Sequence, residues 1–227
     1  MTLIAQLKQD VDAFFQSRAE LGLFWNERDL QTQLCIFLNR SKHYDHILTE
    51  YHVPRAAIVD DLKLEEDEYL WNDVLQLDIV VQKGDDYAVI ELKHKTQSVQ
   101  AGVKVNCFGE TINHAISLAG HGAYNDNTYK FWCDVKRIEL VKRRFDKVVG
   151  GLAIFVTNDK AYKNGRTGAS AGYNMEHGKA HPRCRPTNDS YKGITTDADY
   201  QTNWQDIAIT TNPASPDALY YCVVEVA

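Results

Sequence analysis

The chain has 227 residues, of which 44% are hydrophobic and 25% are charged, a composition that suits one globular domain over residues 1–227. No stretch approaches the roughly 20 apolar residues that a membrane helix needs, and the N-terminal segment lacks the pattern of a signal peptide. We therefore expect a cytoplasmic protein without a membrane partner. The five cysteines are scattered and form no CxxC pair, which argues against a disulfide framework or a zinc ribbon.

The net charge of −6 is unfavourable for a protein that binds nucleic acid, but the charge is unevenly distributed. Residues 1–91 contain 8 Lys and Arg against 18 Asp and Glu, whereas residues 92–192 contain 17 against 8. The second part of the chain therefore offers positive charge that suits phosphate contacts. We expect the acidic run at residues 65–68 to lie on a solvated face away from any polyanion.

Apolar periodicity predicts two helices and a strand at the start of the chain. In residues 3–18, apolar side chains recur every three or four residues, as in an amphipathic helix. A second apolar stripe follows Asn26, which is a favourable N-cap residue. Residues 47–53 predict a strand that stops before Pro54.

The second half of the chain is less regular. Residues 97–118 have mixed periodicity that favours a helix, and residues 134–145 predict a clearer helix. Residues 151–156 predict a buried strand and residues 220–226 a last one, whereas residues 160–206 form a long basic region with little periodicity, typical of a substrate-contacting loop. The order of helix, three strands, helix and strand indicates an α/β or α+β fold in which a mixed β-sheet is flanked by helices.

Two of the three strands, residues 75–82 and 87–93, are joined by turn residues and predict a β-hairpin. If a two-residue or four-residue loop closes the hairpin, paired residues have numbers that sum to 169, and Asp78 faces Glu91. Opposed carboxylates have Cβ atoms ~4.5 to 5.5 Å apart and repel each other, so we expect a cation between them. Lys93 lies two residues beyond Glu91 and therefore on the same face.

Two carboxylates and an amine at one place suit the hydrolysis of a phosphodiester bond with a hard divalent cation. Asp78 and Glu91 are the expected ligands of Mg²⁺, with Mn²⁺ as an alternative ion, and the carbonyl of Leu92 is a further candidate ligand. We expect Lys93 to orient the attacking water and to stabilise the negative charge that develops on the phosphate.

The segments LQLDIVV, KGDDY and AVIELKHK resemble the motif of the PD-(D/E)XK nuclease superfamily, which includes many restriction endonucleases and repair nucleases. Asp78 matches the aspartate of that motif, and Glu91 and Lys93 match its ExK. Leu77 stands where the family pattern has proline. The predicted order αβββαβ over residues 26–157 is also similar to the superfamily's core, so the resemblance implies a restriction-endonuclease-like fold.

The resemblance implies a further metal ligand from the first core helix, and Glu27 stands where that ligand is expected. Gln31, one turn later, lies on the same face and is a candidate accessory residue. Both residues have a structural alternative. A glutamate directly after an N-cap also stabilises a helix through its dipole, by ~0.3 to 1 kcal/mol. For Gln31, the sequence favours an ordinary buried or surface amide over a role at the site.

Basic residues after the motif are candidates for contact with nucleic-acid phosphates, and a solvated helix face is the alternative for those in residues 134–145. These candidates are Lys136, Arg137, Arg143 and Arg166. A short cluster in the later region shows three of the four ligands that a zinc site needs, which favours a polar loop over a metal centre. Its members are His177, His181 and Cys184.

These features predict a Mg²⁺-dependent endonuclease acting on double-stranded DNA, and the resemblance implies restriction or phage defence as its setting. A homodimer suits the cutting of both strands. Two alternatives stay open. One is a repair or effector nuclease acting on branched or single-stranded DNA or on RNA. The other is a nuclease-fold DNA-binding protein that has lost catalysis.

Overall fold

In the computed structural model, six strands form a mixed β-sheet with helices packed on both faces, an α+β architecture. The structure describes residues 1–17, 24–65, 68–71, 74–98, 105–113, 118–166, 171–181, 191–207 and 219–227. Within these residues, no helix is both long enough and apolar enough to cross a membrane.

The helices are α1 (Leu3–Gln16), α2 (Glu27–Ser41), α3 (Arg55–Leu62), α4 (Tyr124–Arg144) and α5 (Lys160–Asn164), and a 3₁₀ turn covers Ala171–Tyr173. The strands are β1 (His46–Val53), β2 (Leu75–Lys83), β3 (Asp86–His94), β4 (Val105–Cys107), β5 (Glu110–Ile112), β6 (Val148–Thr157), β7 (Ala180–His181), β8 (Tyr200–Gln201), β9 (Trp204–Ile207) and β10 (Leu219–Val226). The large sheet has the order β1-β2-β3-β6-β10-β9, and two separate two-stranded sheets pair β4 with β5 and β7 with β8.

From α2 to β6, the main elements follow the predicted order of helix, three strands, helix and strand, with α3 inserted after β1. The first three strands are antiparallel neighbours, whereas β3 and β6 run parallel. Asn26 caps α2 as predicted, because its side chain accepts the N–H of Asp29 at 2.8 Å. Helix α4 precedes β6 in the chain and packs against both strands of this parallel pair, β3 and β6.

The hairpin of β2 and β3 has the predicted register. Its pairs run from Lys83 with Asp86 to Ile79 with Ile90, and every pair satisfies the expected sum of 169. The strands are joined by a two-residue turn in which Gly84 has a φ of 60°, a conformation that glycine adopts without steric cost.

The pairing of this hairpin ends one step before Asp78 would pair with Glu91. At that point the side chain of Asp78 accepts the N–H of Leu92 at 2.6 Å, so a carboxylate takes a backbone donor of β3. The predicted neighbourhood of the two carboxylates is therefore kept, but they lie at the open end of the hairpin and not at a paired position.

Two hydrophobic cores cover the two faces of the sheet. Along β1 and β2, the alternation of side chains between these two faces is interrupted once. Leu77 packs in the core beneath α4, whereas Ile79, two residues later, packs in the core beneath α1 and α2. β1 changes faces in the same way, with Ile47 toward α1 and α2 and Val53 toward α4. Glu50 lies between them with a φ of 52°, a left-handed backbone that costs a non-glycine residue roughly 1–2 kcal/mol. The side chains of β1 and β2 therefore change faces at the level of Glu50 and Asp78.

The helix predicted over residues 97–118 is wrong where the structure describes this segment. Residues 105–112 form a hairpin of β4 and β5. Its turn residues Phe108 and Gly109 both have positive φ, which suits a tight hairpin turn and not a helix. Residues 99–104 and 114–117 of the predicted helix lie outside the described residues.

Helix α4 begins at Tyr124 and not at residue 134. Its N-cap residue, Ala123, has a φ of 60° and makes no side-chain hydrogen bond to the helix, so the usual N-cap signal is missing from the sequence. The early turns are fixed by tertiary burial of Phe131 and Trp132. The region 160–206, predicted as one long loop, contains α5, the 3₁₀ turn and three short strands, and β9 extends the large sheet.

The close approach of α4 to the sheet generates a prediction at Gly151 in β6. A Cβ added at Gly151 would lie 2.5 Å from the carbonyl oxygen of Val89 and 2.7 Å from Cγ2 of Ile138. We expect Gly151→Ala to lower the free energy of unfolding by about 1–3 kcal/mol in urea titrations, because such overpacking forces the helix and strand apart. Gly172→Ala is the control, since an added Cβ there meets nothing within 4 Å. A Gly151→Ala protein as stable as the parent would contradict this packing.

Candidate functional site

Asp78 lies in β2 where the pairing with β3 ends, and its Oδ2 accepts the N–H of Leu92 at 2.6 Å. Burial raises the pKa of Asp78 to about 6, although the Leu92 N–H and the charge of Lys93 oppose the rise. The nearby carboxylates of Asp134 and Glu27 add to it. Asp78 is therefore a largely buried carboxyl group that takes up a proton near pH 6, chiefly because burial disfavours its charged form.

Glu91 lies in β3 and is only 1% exposed. Arg137 of α4 donates from Nη1 to both carboxylate oxygens of Glu91, at 3.1 Å each. The same nitrogen donates to the carbonyl oxygen of Gln76 at 3.3 Å, and the Arg137 Cζ lies 5.0 Å from the ring centre of Trp71. Burial raises the pKa of Glu91 well above its usual range, the charge of Arg137 opposes this, and the charge of Asp78 adds to it.

Lys93 shares a face of β3 with Glu91, as strand alternation predicts, and also meets a residue of α4. Its Nζ lies 2.7 Å from Oδ2 of Asp134, and the two side chains are 16% and 3% exposed. Burial lowers the pKa of Lys93, but the charges of Asp134 and Glu27 more than offset this effect, so the net pKa is raised above the usual value. Lys93 is therefore an ammonium at neutral pH.

Two residues of α4 complete this site. Asp134 was not predicted as a functional residue, and Arg137 was predicted only as a phosphate contact. Asp134 and Arg137 lie three residues apart on the buried face of the helix, with Oδ1 of Asp134 3.8 Å from Nη1 of Arg137. Asp134 pairs with Lys93 of β3, and Arg137 pairs with Glu91 of β3, so each pair joins opposite charges. The available signal was the D-x-x-R spacing, which puts an acid and a base on one side of a helix that covers an E-x-K strand.

Glu27 reaches the end of β3 from the other side. As the first residue of α2, it accepts the backbone N–H of His94 at 2.9 Å and lies 3.7 Å from Nζ of Lys95. His94 itself is buried, and its pKa is lowered to about 4 by burial, with a smaller effect from His121. The structure thus brings Glu27 close to the candidate site, where its charge acts on both Asp78 and Lys93.

Gln31 contacts the candidate aspartate through the backbone. Its Nε2 donates to the carbonyl oxygen of Asp78 at 2.8 Å and to Oε1 of Glu50 at 2.9 Å. Gln76 donates to the other carboxylate oxygen of Glu50. Gln31 therefore connects α2 to β1 and β2 in the row where the two strands exchange faces, which gives it a positioning role at this site.

The four basic residues predicted for phosphate contact fall into two classes. Lys136 is buried, with Nζ 3.3 Å from Glu139 and 3.2 Å from Asp197, and Arg137 is paired with Glu91 as described above. The expected positive helix face is thus partly turned inward. Arg143 and Arg166 are exposed, and the Arg166 guanidinium lies over the ring of Tyr124, with its Cζ 4.4 Å from the ring centre.

The two described members of the His-His-Cys cluster have separate environments. Nδ1 of His177 accepts the backbone N–H of Trp204 at 3.0 Å. The buried ring of His181 stacks on Trp132, with ring centres 3.4 Å apart. Cys184 lies outside the described residues. Stacking and a backbone hydrogen bond give these histidines structural roles.

Among the residues that the structure describes, no group of three or more His, Cys, Asp or Glu side chains is arranged to hold a metal ion. Asp78 and Glu91 remain as two neighbouring carboxylates at the end of the hairpin. Mg²⁺ is commonly held by one or two carboxylates, with waters and substrate oxygens as its other ligands. The two carboxylates and the Leu92 carbonyl are chemically suited to such an ion.

The chain was compared with models of protein families, with curated proteins and with solved structures. No match was found in any of the three comparisons.

The raised pKa of Asp78 predicts how stability changes with pH. The folded protein holds this proton up to about pH 6. The unfolded chain releases it near pH ~3.9, so the charged carboxylate destabilises the fold progressively as the pH rises between these values. We expect Asp78→Asn to be about 2–3 kcal/mol more stable than the parent at pH 7 and nearly equal at pH 4, measured by urea unfolding.

Asp86→Asn is the matched control, because Asp86 lies on the same hairpin with an exposed side chain. It should follow the parent at both pH values. If Asp78→Asn is no more stable than the parent at pH 7, the destabilising effect of a charged Asp78 in this buried position is disproved.

Proposed function

We propose that this chain is a Mg²⁺-dependent endonuclease of the PD-(D/E)XK type, with a restriction-endonuclease-like core, that hydrolyses phosphodiester bonds of double-stranded DNA. The observation that carries the proposal is the placement of Asp78, Glu91 and Lys93 at the open end of one tight hairpin. Further support comes from the order αβββαβ and from the parallel pairing of β3 with β6. Both features agree with what the motif resemblance implies.

Asp78 and Glu91 are the proposed metal ligands, with the carbonyl of Leu92 and the carboxylate of Glu27 as further candidates. The charge of Asp78 raises the pKa of Glu91, so a cation beside them relieves a repulsion already present in the protein. When bound, Mg²⁺ or Mn²⁺ would act as a Lewis acid that polarises the phosphate and lowers the pKa of a bound water. Oε2 of Glu27 accepts the His94 N–H, which leaves Oε1 as the oxygen that would serve as a ligand.

Lys93 is proposed to act as a fixed positive charge. Its ammonium can donate hydrogen bonds to a water and to a phosphate oxygen, and the raised pKa means that it keeps its proton at neutral pH. It therefore orients the nucleophile and stabilises the charged phosphate without serving as the base. Asp134 holds the ammonium in place at 2.7 Å, which reduces the freedom of the lysine side chain.

DNA is the proposed partner because the second part of the chain carries excess positive charge and two of its predicted basic contacts, Arg143 and Arg166, are exposed. A homodimer is proposed for cutting both strands of a duplex, since two related sites suit two antiparallel strands. The resemblance adds restriction or defence as the proposed setting.

The test is cleavage of supercoiled plasmid in the presence of Mg²⁺. We expect Lys93→Ala to lower the cleavage rate by about 10²–10³-fold, because it removes a charge that stabilises the transition state. Affinity for the same DNA in Ca²⁺, measured by fluorescence anisotropy, should be nearly unchanged. Lys83→Ala is the matched control, since Lys83 is an exposed lysine at the far end of the same hairpin. Full activity of Lys93→Ala rejects the assignment.

The buried ion pairs of Glu91 and Lys93 also favour a second candidate, a nuclease-fold DNA-binding protein without catalysis, because both residues are already neutralised by α4. Plasmid that stays supercoiled with Mg²⁺ and Mn²⁺ while DNA is bound supports this candidate. Parallel incubation with single-stranded DNA circles and with RNA distinguishes the proposed duplex nuclease from a repair or effector nuclease.

A further inference from the structure

We propose that the guanidinium of Arg137 occupies the position beside Glu91 where a divalent metal ion would bind. Arg137 must release this carboxylate before the metal ion can bind. The inference rests on the proposed function, because it concerns the metal site of the proposed nuclease. It gives α4 a regulatory role in that site, since the ion pair between Arg137 and Glu91 competes with the metal ion.

The contact between the two residues leaves little room for another cation. Nη1 of Arg137 lies 3.1 Å from both carboxylate oxygens of Glu91, and Glu91 is only 1% exposed. Mg²⁺ approaches its oxygen ligands to about 2.0–2.1 Å. An ion at that distance would meet the positive guanidinium within a few ångströms in a buried site, where like charges repel strongly. Metal binding and the Arg137–Glu91 pair therefore compete for the same carboxylate.

Arg137 has a second carboxylate within reach. Oδ1 of Asp134 lies 3.8 Å from the same nitrogen that binds Glu91. Within the described part of the chain, Nε of Arg137 is buried and has no hydrogen-bond partner. A small rotation of the guanidinium over Trp71 can thus exchange Glu91 for Asp134 without leaving the positive charge unpaired. The structure provides both the competitor and its alternative position.

The experiment is isothermal titration of the full chain with MnCl₂ in the absence of nucleic acid. Arg137→Gln should bind Mn²⁺ at least about fivefold more tightly than the parent, a change within the usual range of coupling between sites, because the competing cation is removed. Lys130→Gln is the matched control. It removes the same charge from the same helix, but at an exposed position, and should leave the affinity unchanged.

Two further variants locate the effect. In the double variant Arg137→Gln with Glu91→Gln, the gain in affinity should disappear, because the released ligand is no longer a carboxylate. Trp71→Leu removes the ring on which Arg137 rests and should give a smaller gain in the same direction. This variant tests the proposal independently if Arg137→Gln does not fold.

Equal or weaker Mn²⁺ binding by Arg137→Gln and Trp71→Leu, relative to the parent, overturns the role of Arg137. The nuclease proposal then stands or falls separately with the cleavage assay on Lys93→Ala. Failure of the parent and of every variant to bind Mn²⁺ overturns both proposals. A gain that persists without the Glu91 carboxylate shows that Arg137 acts at another place and also overturns the inference.

Discussion

Two buried ion pairs join β3 to α4, and the geometry of the site depends on them. Glu91 with Arg137 and Lys93 with Asp134 cross the same interface, with distances of 3.1 and 2.7 Å. Removal of one partner leaves a buried charge that costs several kcal/mol, so each residue of these pairs stabilises the other in the folded protein. Because the four residues lie on a strand and a helix, their positions are set by rigid elements and not by loops.

The parts of the site that follow from local rules could be predicted from the sequence. The turn chemistry around Gly84 fixes the hairpin register, and the register places Asp78 near Glu91. Alternation then places Lys93 beside Glu91, and the N-cap at Asn26 fixes where α2 begins. Each inference uses residues that are close in sequence, so short-range geometry is sufficient.

The parts that depend on distant contacts could not be predicted. Asp134 has no predicted role, and Arg137 is predicted as a phosphate contact or as part of a solvated helix face, because nothing local shows that their helix covers an E-x-K strand. Alternation also fails where β1 and β2 exchange faces at Glu50, since a left-handed residue in a strand has no sequence signature when it is not glycine or asparagine. The early start of α4 is missed because burial of its aromatic residues replaces a cap.

The formal charges of the site bear on the proposed binding of a metal ion together with a phosphate. Asp78, Glu91 and Asp134 carry three negative charges, and Lys93 and Arg137 carry two positive ones. Burial is the main cause of the raised pKa of Asp78 and Glu91, and the neighbouring carboxylates add to the rise. In the proposed nuclease, a divalent cation alone would change this balance to one positive charge. A phosphodiester would then restore neutrality, so the proposed metal ion and substrate would each favour the other's binding.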